Sequence, residues 1–549
     1  MSLHPQSAPP VPEETARIAQ RVFRRGHPYL KLRDEFGPFF QDEAFQALFS
    51  PCGQPAEAPG CLALVTLLQF AEGLSDEQAA DAVRSRIDWK YLLGLALDDP
   101  GFDKSVLSEF RTRLVAGEAG LLLLETLLTA FRERGLVKAR GQQRTDCTHV
   151  LAAIHRLNRL ELVGETVRQV LDTLAVMAPA WLLAHADPAW RERYGRRFSD
   201  YRLPAGAKAR EALALTIGQD GVRLLTALAA PDAPPALAAL PEVAVLRQVW
   251  AQQYTPADEP VRWRPDDALP PVPERILSPH DPEARYGKKR DTAWVGDKLH
   301  LTETGDPERP RLITDVQTTA ALVDDGRVLP TIQAALAARG LLPSRQLVDA
   351  GYAAAAHLVA SQEQYQIELV GPQPPDTSWQ ARAGQGFAAG QFQVDWEQQQ
   401  VTCPGGKQSQ RWCEGEENGR AVIHVYFARP DCQACALRAD CTRAQQRGRH
   451  LTLPTQAGYE ALRAARERQG SEAFAAAYAA RAGVEGTHSQ AVRRCGVRQC
   501  RYVGEAKTHL QHVLTAAAID LVRVGDWLMG RRPAATRVTP FAQLAAVPS

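Results

Sequence analysis

The chain lacks an apolar run long enough to cross a bilayer, and it lacks an excess of either charge. Its longest apolar stretch, residues 121–128, is interrupted by Glu125 and is shorter than the ~20 residues of a membrane-spanning helix. The formal net charge of +1 excludes an overall polycation, so contacts with nucleic acid must come from local basic patches. The first residues lack the apolar core of a signal peptide. These absences favour a cytoplasmic protein.

The composition that remains is that of a globular protein, with 45% hydrophobic and 23% charged residues. At about 150 residues per domain, a chain of 549 residues is expected to form three or four folded units. Ten cysteines in a reducing compartment favour metal binding or burial over a disulfide framework.

The first 135 residues predict a helical unit. Apolar residues in the segment 64–71 form one helical face, and Gly73 ends it. Ser75 and Gln78 then have the spacing of a capping box, which starts the next helix. Such a pair fits a DNA-binding helix-turn-helix, and it also fits the corner of an ordinary helical bundle, which is the commoner case.

Two acidic residues occupy strand positions further along the chain. Asp146 lies within the β-prone residues 144–150, where a carboxylate is costly unless cations or donors surround it. Asp349 follows a buried strand at 345–348 and precedes an alanine-rich helix. Open α/β sheets bind ligands beyond the carboxyl ends of their strands, so Asp349 lies where a catalytic residue is expected. A helix cap or turn former is the alternative for this residue.

The order of the elements predicts a mixed α/β sheet. Residues 294–304 alternate between apolar and polar, and residues 311–319 return after a turn as the second strand of a hairpin. A helix at 328–338 precedes a strand-helix-strand unit that ends at Val370. A first acidic strand, a hairpin and then strand-helix-strand is the ribonuclease-H-like order.

These signals divide the chain into segments with different composition. The predicted segments are an N-terminal helical, DNA-binding unit (1–135), the first core strand (136–155), a helical insertion and linker (156–285), the continued core (286–372), a cysteine-rich insertion (373–455) and C-terminal helices that complete the catalytic core (456–549).

The cysteine-rich insertion carries a candidate zinc site. Cys432 and Cys435 have the Cys-x2-Cys spacing of a metal knuckle, and Cys441 follows closely. Cys403 begins a Pro-Gly-Gly turn that suits a further ligand. Four thiolates would close a tetrahedral structural zinc site, and a reduced, metal-free knuckle is the alternative.

The late helices carry polar residues at helical spacing, followed by a basic patch. Tyr478, Arg481 and Glu485 fall at i, i+3 and i+7, which on a continuous helix is one face. Gly483 and Gly486 weaken that helix. The basic patch that follows fits a phosphate backbone, and a solvated helix face is the alternative. Its members are Arg493, Arg494, Arg498, Arg501 and Lys507.

Three carboxylates of this kind would suit the hydrolysis of a phosphodiester. Two divalent ions activate the attacking oxygen and stabilise the leaving one, and Mg²⁺ or Mn²⁺ takes oxygen ligands. Asp146 would bridge both ions, while Asp349 and Glu485 would each hold mainly one. Arg481 would bind a non-bridging phosphate oxygen, and Tyr478 would support the same strand.

Several motifs occur in a fixed order along the chain. They are residues 145–150 (Thr-Asp-Cys-Thr-His-Val), 278–286 (Ser-Pro-His-Asp-Pro-Glu-Ala-Arg-Tyr), 348–352 (Val-Asp-Ala-Gly-Tyr), Cys403-Pro404-x-Gly406, 485–487 (Glu-Gly-Thr) and Arg501-Tyr502-x-Gly504. With these motifs the sequence resembles the bacterial insertion-sequence DDE transposases over nearly its whole length. Within that group it resembles insertion-sequence family 1182, the cysteine-rich insertion included.

The resemblance implies a catalytic triad of Asp146, Asp349 and Glu485. It also implies Mg²⁺ or Mn²⁺ as cofactor, and double-stranded DNA as substrate, in the form of terminal inverted repeats and target DNA. The implied reactions are cleavage at the ends of the element and strand transfer into the target. The implied assembly is a homodimer on DNA, associated with the bacterial nucleoid.

The sequence departs from the related transposases at two positions. The signature Tyr-x2-Arg-x3-Glu-x6-Lys lacks its lysine, because position 492 is Val, so Arg493 or Arg494 would have to replace that contact. Asp520 stands where an asparagine is expected. The alternatives to an active transposase are a domesticated DNA-binding regulator and a nuclease without strand transfer.

Overall fold

The N-terminal segment folds into helices whose ends follow the capping signals of the sequence. The computed structural model describes residues 1–154, 157–198, 203–255, 261–289, 291–373, 376, 378–417 and 419–532. Ser75 and Gln78 form the expected capping box, in which the backbone N–H of each residue donates to the side chain of the other. The helices are α1 (Glu13–Val22), α2 (Pro28–Phe36), α3 (Pro59–Glu72), α4 (Asp76–Ser85), α5 (Ile87–Leu93), α6 (Ser105–Ala116) and α7 (Leu122–Glu133).

A helical insertion with its own apolar core separates the first strand from the rest of the sheet. Its helices are α8 (Arg159–Met177), α9 (Pro179–His185), α10 (Pro188–Tyr194), α11 (Ala207–Ala229), α12 (Pro235–Ala238) and α13 (Pro241–Gln253). The proline-rich connection that follows contains short 3-10 turns at 266–268 and 272–274, and residues 256–260 of it lie outside the described residues.

The sheet confirms the predicted mixed α/β class. Its strands are β1 (Gln142–Leu151), β2 (Arg285–Lys289), β3 (Thr292–Thr304), β4 (Ile313–Ala320), β5 (Arg345–Leu347) and β6 (Glu368–Val370). The strand order is β2-β3-β1-β5-β6, with β4 also paired to β3. β3 runs antiparallel to β1 and β4, whereas β5 and β6 run parallel to β1. Helices α14 (Leu329–Ala338) and α15 (Ala355–Tyr365) make the connections between β4, β5 and β6.

The cysteine-rich segment has a small apolar core of its own. A three-stranded antiparallel sheet of order β11-β10-β9 and a two-stranded β7-β8 ribbon make up its β structure. The elements are α16 (Trp379–Ala383), β7 (Gln393–Asp395), β8 (Gln400–Thr402), β9 (Arg411–Glu417), β10 (Arg420–Tyr426), α17 (Arg429–Gln433), α18 (Arg438–Cys441) and β11 (His450–Pro454).

The last described helix packs on both the N-terminal helices and the main sheet. The C-terminal helices are α19 (Gln456–Gln469), α20 (Glu472–Ala479), α21 (Ala482–Cys495) and α22 (Glu505–Leu528). α22 packs on β4 and also on α2, α3 and α7, so the N-terminal helices and the main sheet share one apolar core. As a result α3 is buried on nearly every face, and the α3-α4 pair is a corner of this bundle. None of the described helices is both long and apolar enough to span a membrane.

Candidate active site

Asp146 and Asp349 lie on neighbouring parallel strands. β1 and β5 are in register up to the pair Arg144 and Leu347, and each aspartate follows two residues later. Because side chains alternate along a strand, Asp146 shares a face of the sheet with Arg144. Asp349 accepts a hydrogen bond from the Gly351 N–H, so a turn fixes its side chain at the end of β5.

Arg481 brings Glu485 to the same place. Its Nη2 donates to Asp146 Oδ2 at 2.6 Å, and its Nη1 donates to Glu485 Oε1 at 3.1 Å. The Asp146 side chain is 11% exposed and that of Glu485 is 64% exposed. The two carboxylates thus differ in exposure, with Asp146 at the floor of the site and Glu485 at its rim.

The negative charge of the site is only partly balanced. Burial raises the pKa of Asp146, Arg481 and the Cys147 N–H lower it, and the charge of Asp349 raises it again. The net shift is upward, so one guanidinium does not compensate for burial and for the second carboxylate. Carboxylate oxygens are the ligand type that a divalent cation prefers, but the ligand atoms of Asp146, Asp349 and Glu485 do not all lie within 4.8 Å of one another.

The expected continuous helix through Tyr478 and Glu485 is interrupted. α20 ends at Ala479 and α21 begins at Ala482, with Arg481 as the residue that precedes its first turn. The residues nevertheless stay together, because the Arg481 guanidinium lies 5.9 Å from the centre of the Tyr478 ring. The break arises before the glycines that the sequence pointed to, and both of those glycines lie inside α21.

The predicted basic patch has four exposed residues and the half-buried Arg498, and three of the five residues also bind the protein itself. Arg494 Nε donates to the Ala71 carbonyl of α3 at 2.6 Å, and the Arg501 guanidinium lies 4.8 Å from the centre of the Phe70 ring. Arg498 Nη1 donates to the His149 carbonyl of β1 at 2.5 Å. Arg493 and Lys507 are exposed. DNA binding by these residues stays a prediction, and three of them also hold the late helices in place.

Val492 occupies the position of the signature lysine and packs into the structure there. Its side chain is partly buried and packs against the main apolar core. A lysine at this position would have to leave that contact to reach solvent. The neighbouring Arg493 is exposed and carries the same charge as the lysine.

A buried ion-pair network lies beside the carboxylates, and the sequence analysis missed it. Glu303 of β3 has no exposed surface, and its Oε1 accepts from Arg144 Nε at 2.7 Å. Its Oε2 accepts from Arg523 Nη1 of α22 at 2.8 Å and from Thr487 Oγ1 of α21 at 2.6 Å. The only signal in the sequence is an acid inside a strand, the same signal that singled out Asp146.

This network fixes α21 on the sheet. Arg144 Nη1 donates to the Ala480 carbonyl at 2.6 Å, directly before Arg481. Gly483 leaves room for that guanidinium, since a Cβ there would lie 2.0 Å from Arg144 Nη1. Arg144 and Thr487 thus hold α21 on both sides of Glu485 in the chain, which sets the position of this carboxylate relative to Asp146.

A second cluster next to Asp146 has the residue types of a metal site but not the free ligands. The donor atoms of this cluster lie within 4.8 Å of one another, and its members are Cys147, His300 and Asp325. Both ring nitrogens of His300 are used, by the Tyr352 hydroxyl at 2.7 Å and by Thr319 Oγ1 at 3.0 Å. Lys298 Nζ binds Asp325 at 2.8 Å. Burial lowers the pKa of His300 to about 4, which favours the neutral ring. The cluster is therefore a hydrogen-bonded network next to the candidate active site.

The four predicted zinc ligands gather at one end of the cysteine-rich unit. A Cβ on Gly405 would lie 3.5 Å from Cys435 Sγ and 3.7 Å from Cys403 Sγ. The N–H groups of Lys407 and Arg449 donate to Cys403 Sγ and Cys432 Sγ, both at 3.4 Å.

Cys441 completes this cysteine group. Burial raises the pKa of the Cys441 thiol, and the other three cysteines raise it further. Among these four described residues, no three sulfurs lie within 4.8 Å of one another. The cysteines are therefore gathered but not closed into a ligand shell.

Comparison with protein families adds a finding at each end of the chain. Residues 17–113 match the family described as Transposase domain (DUF772). Residues 402–524 match the family described as Transposase DDE domain, and this region contains Tyr478, Arg481, Glu485 and the cysteine group. No curated protein and no solved structure matches the chain.

Proposed function

Because these two matches identify the chain as an insertion-sequence DDE transposase, we propose that it cuts the ends of its element and joins them to target DNA. The observation that carries this proposal is the meeting of Asp146, Arg481 and Glu485 from elements more than 300 residues apart in sequence. The narrower assignment to insertion-sequence family 1182 is part of the proposal. It is supported by the ordered motifs of the sequence.

The strand order supports a ribonuclease-H-like catalytic core. β4, β3 and β1 form an antiparallel meander, and β5 and β6 continue it in parallel with β1. In this arrangement β1 and β5 are neighbours, so Asp146 and Asp349 share one end of the sheet. The helical and cysteine-rich insertions interrupt the core without adding a strand to its sheet among the described residues.

The carboxylates of this site would hold Mg²⁺ or Mn²⁺. When bound, two such ions activate an attacking oxygen and stabilise the leaving oxygen of a phosphodiester. In this proposal Asp146 would be shared by the two ions, and Asp349 and Glu485 would each hold mainly one. Arg481 pairs with Asp146 and Glu485 in the structure, and with DNA bound its guanidinium would bind a non-bridging phosphate oxygen instead.

The reaction proposed here has two in-line transfers at one site. Water attacks the phosphodiester at the element end, and the bond to the 3′ oxygen breaks to leave a 3′-hydroxyl. This hydroxyl then attacks a phosphodiester of the target, where a new bond forms and the target's own 3′ oxygen leaves. Since both element ends must be brought together, we expect a homodimer on DNA.

The cysteine group would hold a structural zinc ion. The donor set of four thiols with N–H groups donating to two sulfurs fits zinc, which would draw the sulfurs together. Its place in the fold, in a unit whose apolar core is small, suits a metal that supports folding.

The test of the catalytic assignment is Asp349→Ala, assayed on a labelled duplex that carries the inverted repeats flanking the coding region. We expect loss of metal-dependent end cleavage with unchanged DNA binding, whereas Asp172→Ala on the helical insertion should cleave normally. Cleavage by Asp349→Ala would reject the triad. Strand-transfer products distinguish a transposase from a nuclease, and binding without cleavage by the unmodified protein would indicate a regulator.

A further inference from the structure

A basic pocket lies on the flank of α21 that faces away from Glu485. The pocket has a volume of about 360 Å³, and Gly483 and Gly486 of α21 form part of its wall. At about 100° per residue, Gly483 lies about 160° and Gly486 about 100° around the helix from Glu485. The opposite wall carries Trp527 and four arginines, which are Arg311, Arg523, Arg531 and Arg532.

The pocket carries positive charge that the protein leaves uncompensated. Buried Glu303 is one carboxylate facing three guanidinium groups, because Arg144 and Arg523 bind it and Arg311 lies close by. Burial lowers the pKa of Arg311, and the charges of Arg144 and Arg523 lower it further. In the part of the chain that the structure describes, the Arg311 side chain has no ion pair.

Two further acids lie near these arginines: Asp526 lines the pocket, and Asp520 interacts with Arg523. Asp520 is fully buried, and burial raises its pKa well above the ordinary value, which favours its neutral form. At the pocket rim Arg531 is paired with Asp526 at 2.9 Å, while the Arg532 guanidinium lies over the Trp527 ring at 3.6 Å. Arg523 Nε, Nη1 and Nη2 all bind protein groups. Arg311 and Arg532 are therefore the guanidinium groups of the pocket that an anion would meet.

We infer that this pocket binds a backbone phosphate of duplex DNA other than the phosphate that is cleaved. DNA would then contact α21 both on the side of Glu485 and on the side of the pocket. The inference rests on the proposed function, since DNA is taken as the ligand. Guanidinium groups bind phosphate oxygens in bidentate pairs. Gly486 fits this role, because its lack of a side chain keeps the wall of the pocket open.

Gly486 also provides a sharp test. A Cβ at this position would have no atom within 4 Å, and its backbone has ordinary helical geometry, so larger residues can be introduced without a clash. Gly486→Glu places a carboxylate among the arginines, and Gly486→Gln adds a side chain of the same size without charge. Gly206→Glu adds the same charge at an open, exposed glycine of the helical insertion.

The measurement is the affinity of each full-length variant for a duplex of unrelated sequence, without divalent metal, as a function of salt concentration. We expect Gly486→Glu and Arg311→Gln to weaken binding. The salt-dependence slope should fall by about 0.9 for each lost phosphate contact. Gly486→Gln and Gly206→Glu should keep the original slope. Thermal unfolding confirms folding, and Arg311→Gln carries the test if Gly486→Glu does not fold.

Equal slopes for Gly486→Glu and Gly206→Glu, together with an unchanged slope for Arg311→Gln, would overturn the inference. This outcome is separable from failure of the proposed function. A protein that binds DNA through the pocket but never cleaves refutes the transposition chemistry alone. A protein that cleaves with an unchanged slope in all variants refutes the pocket alone.

Discussion

The Asp520 carboxyl group accepts a hydrogen bond from the Ile313 N–H at 2.8 Å inside the main core. Asp520 has no exposed surface, and its second oxygen has no hydrogen-bond partner among the described residues. Burial is the largest cause of its strongly raised pKa. A protonated aspartic acid has nearly the shape of asparagine and accepts the same hydrogen bond. The departure at position 520 therefore preserves the contact that an asparagine would make.

We predict that Asp520→Asn stabilises the protein at neutral pH. In the unfolded chain the Asp520 carboxyl has the ordinary pKa of 3.8, whereas in the folded chain burial raises this pKa. Stability from this group is thus complete below that pH and declines as pH rises towards the raised folded pKa. Asparagine does not titrate, so its variant should lack this decline. Urea unfolding across pH measures it, with the exposed Asp526→Asn as control, and an unchanged pH dependence in Asp520→Asn would contradict the prediction.

Glu303→Gln should destabilise the fold strongly. The substitution leaves Arg144 and Arg523 buried without their common carboxylate, and breaking one partner of a buried ion pair costs about 3–5 kcal/mol. The free energy of unfolding from urea titration tests this expectation. A loss below about 1 kcal/mol, the range of an exposed pair, would mean that the network does not hold α21.

Two glycines of α21 should respond oppositely to alanine. In Gly483→Ala the new methyl group meets the Arg144 guanidinium, which Glu303 and the Ala480 carbonyl hold in place, so a loss of about 1–3 kcal/mol is expected. Gly486→Ala meets open space and should gain about 1 kcal/mol from helix propensity. Comparing the thermal unfolding temperatures of the two variants removes the effects that any alanine in this helix would have. Equal changes in unfolding temperature would contradict the packing of Arg144 on Gly483.

The zinc content of the protein should depend on Cys403, Cys432, Cys435 and Cys441 and not on Cys413. Purified protein is expected to contain about one zinc per chain, and Cys435→Ser should remove it and lower the thermal stability of the cysteine-rich unit. Cys413→Ser is the matched control, because its sulfur accepts from Arg411 Nε in the same unit. Metal analysis that finds no zinc in carefully purified, folded protein would reject this site.

Local patterns were enough to predict the elements that carry the acids. The alternation in residues 294–304 and the apolar run before Asp349 correspond to β3 and β5, since period and turn residues depend on near neighbours. The meeting of Arg144, Glu303 and Arg523 could not be predicted this way, because 159 and 220 residues separate Glu303 from its two partners. The same limit applies to Arg494, whose contact with Ala71 requires the packing of α21 on α3.

The burial of α3 by α22 sets the order in which the newly made chain can fold. α3 leaves the ribosome more than 400 residues before α22, and until then the part of its apolar surface that α22 covers lacks this partner. Exposed surface of this kind invites chaperones or aggregation during synthesis. Premature termination before Glu505 would leave the early helices without their packing partner, so shortened translation products should be degraded and not persist as competing DNA-binding fragments.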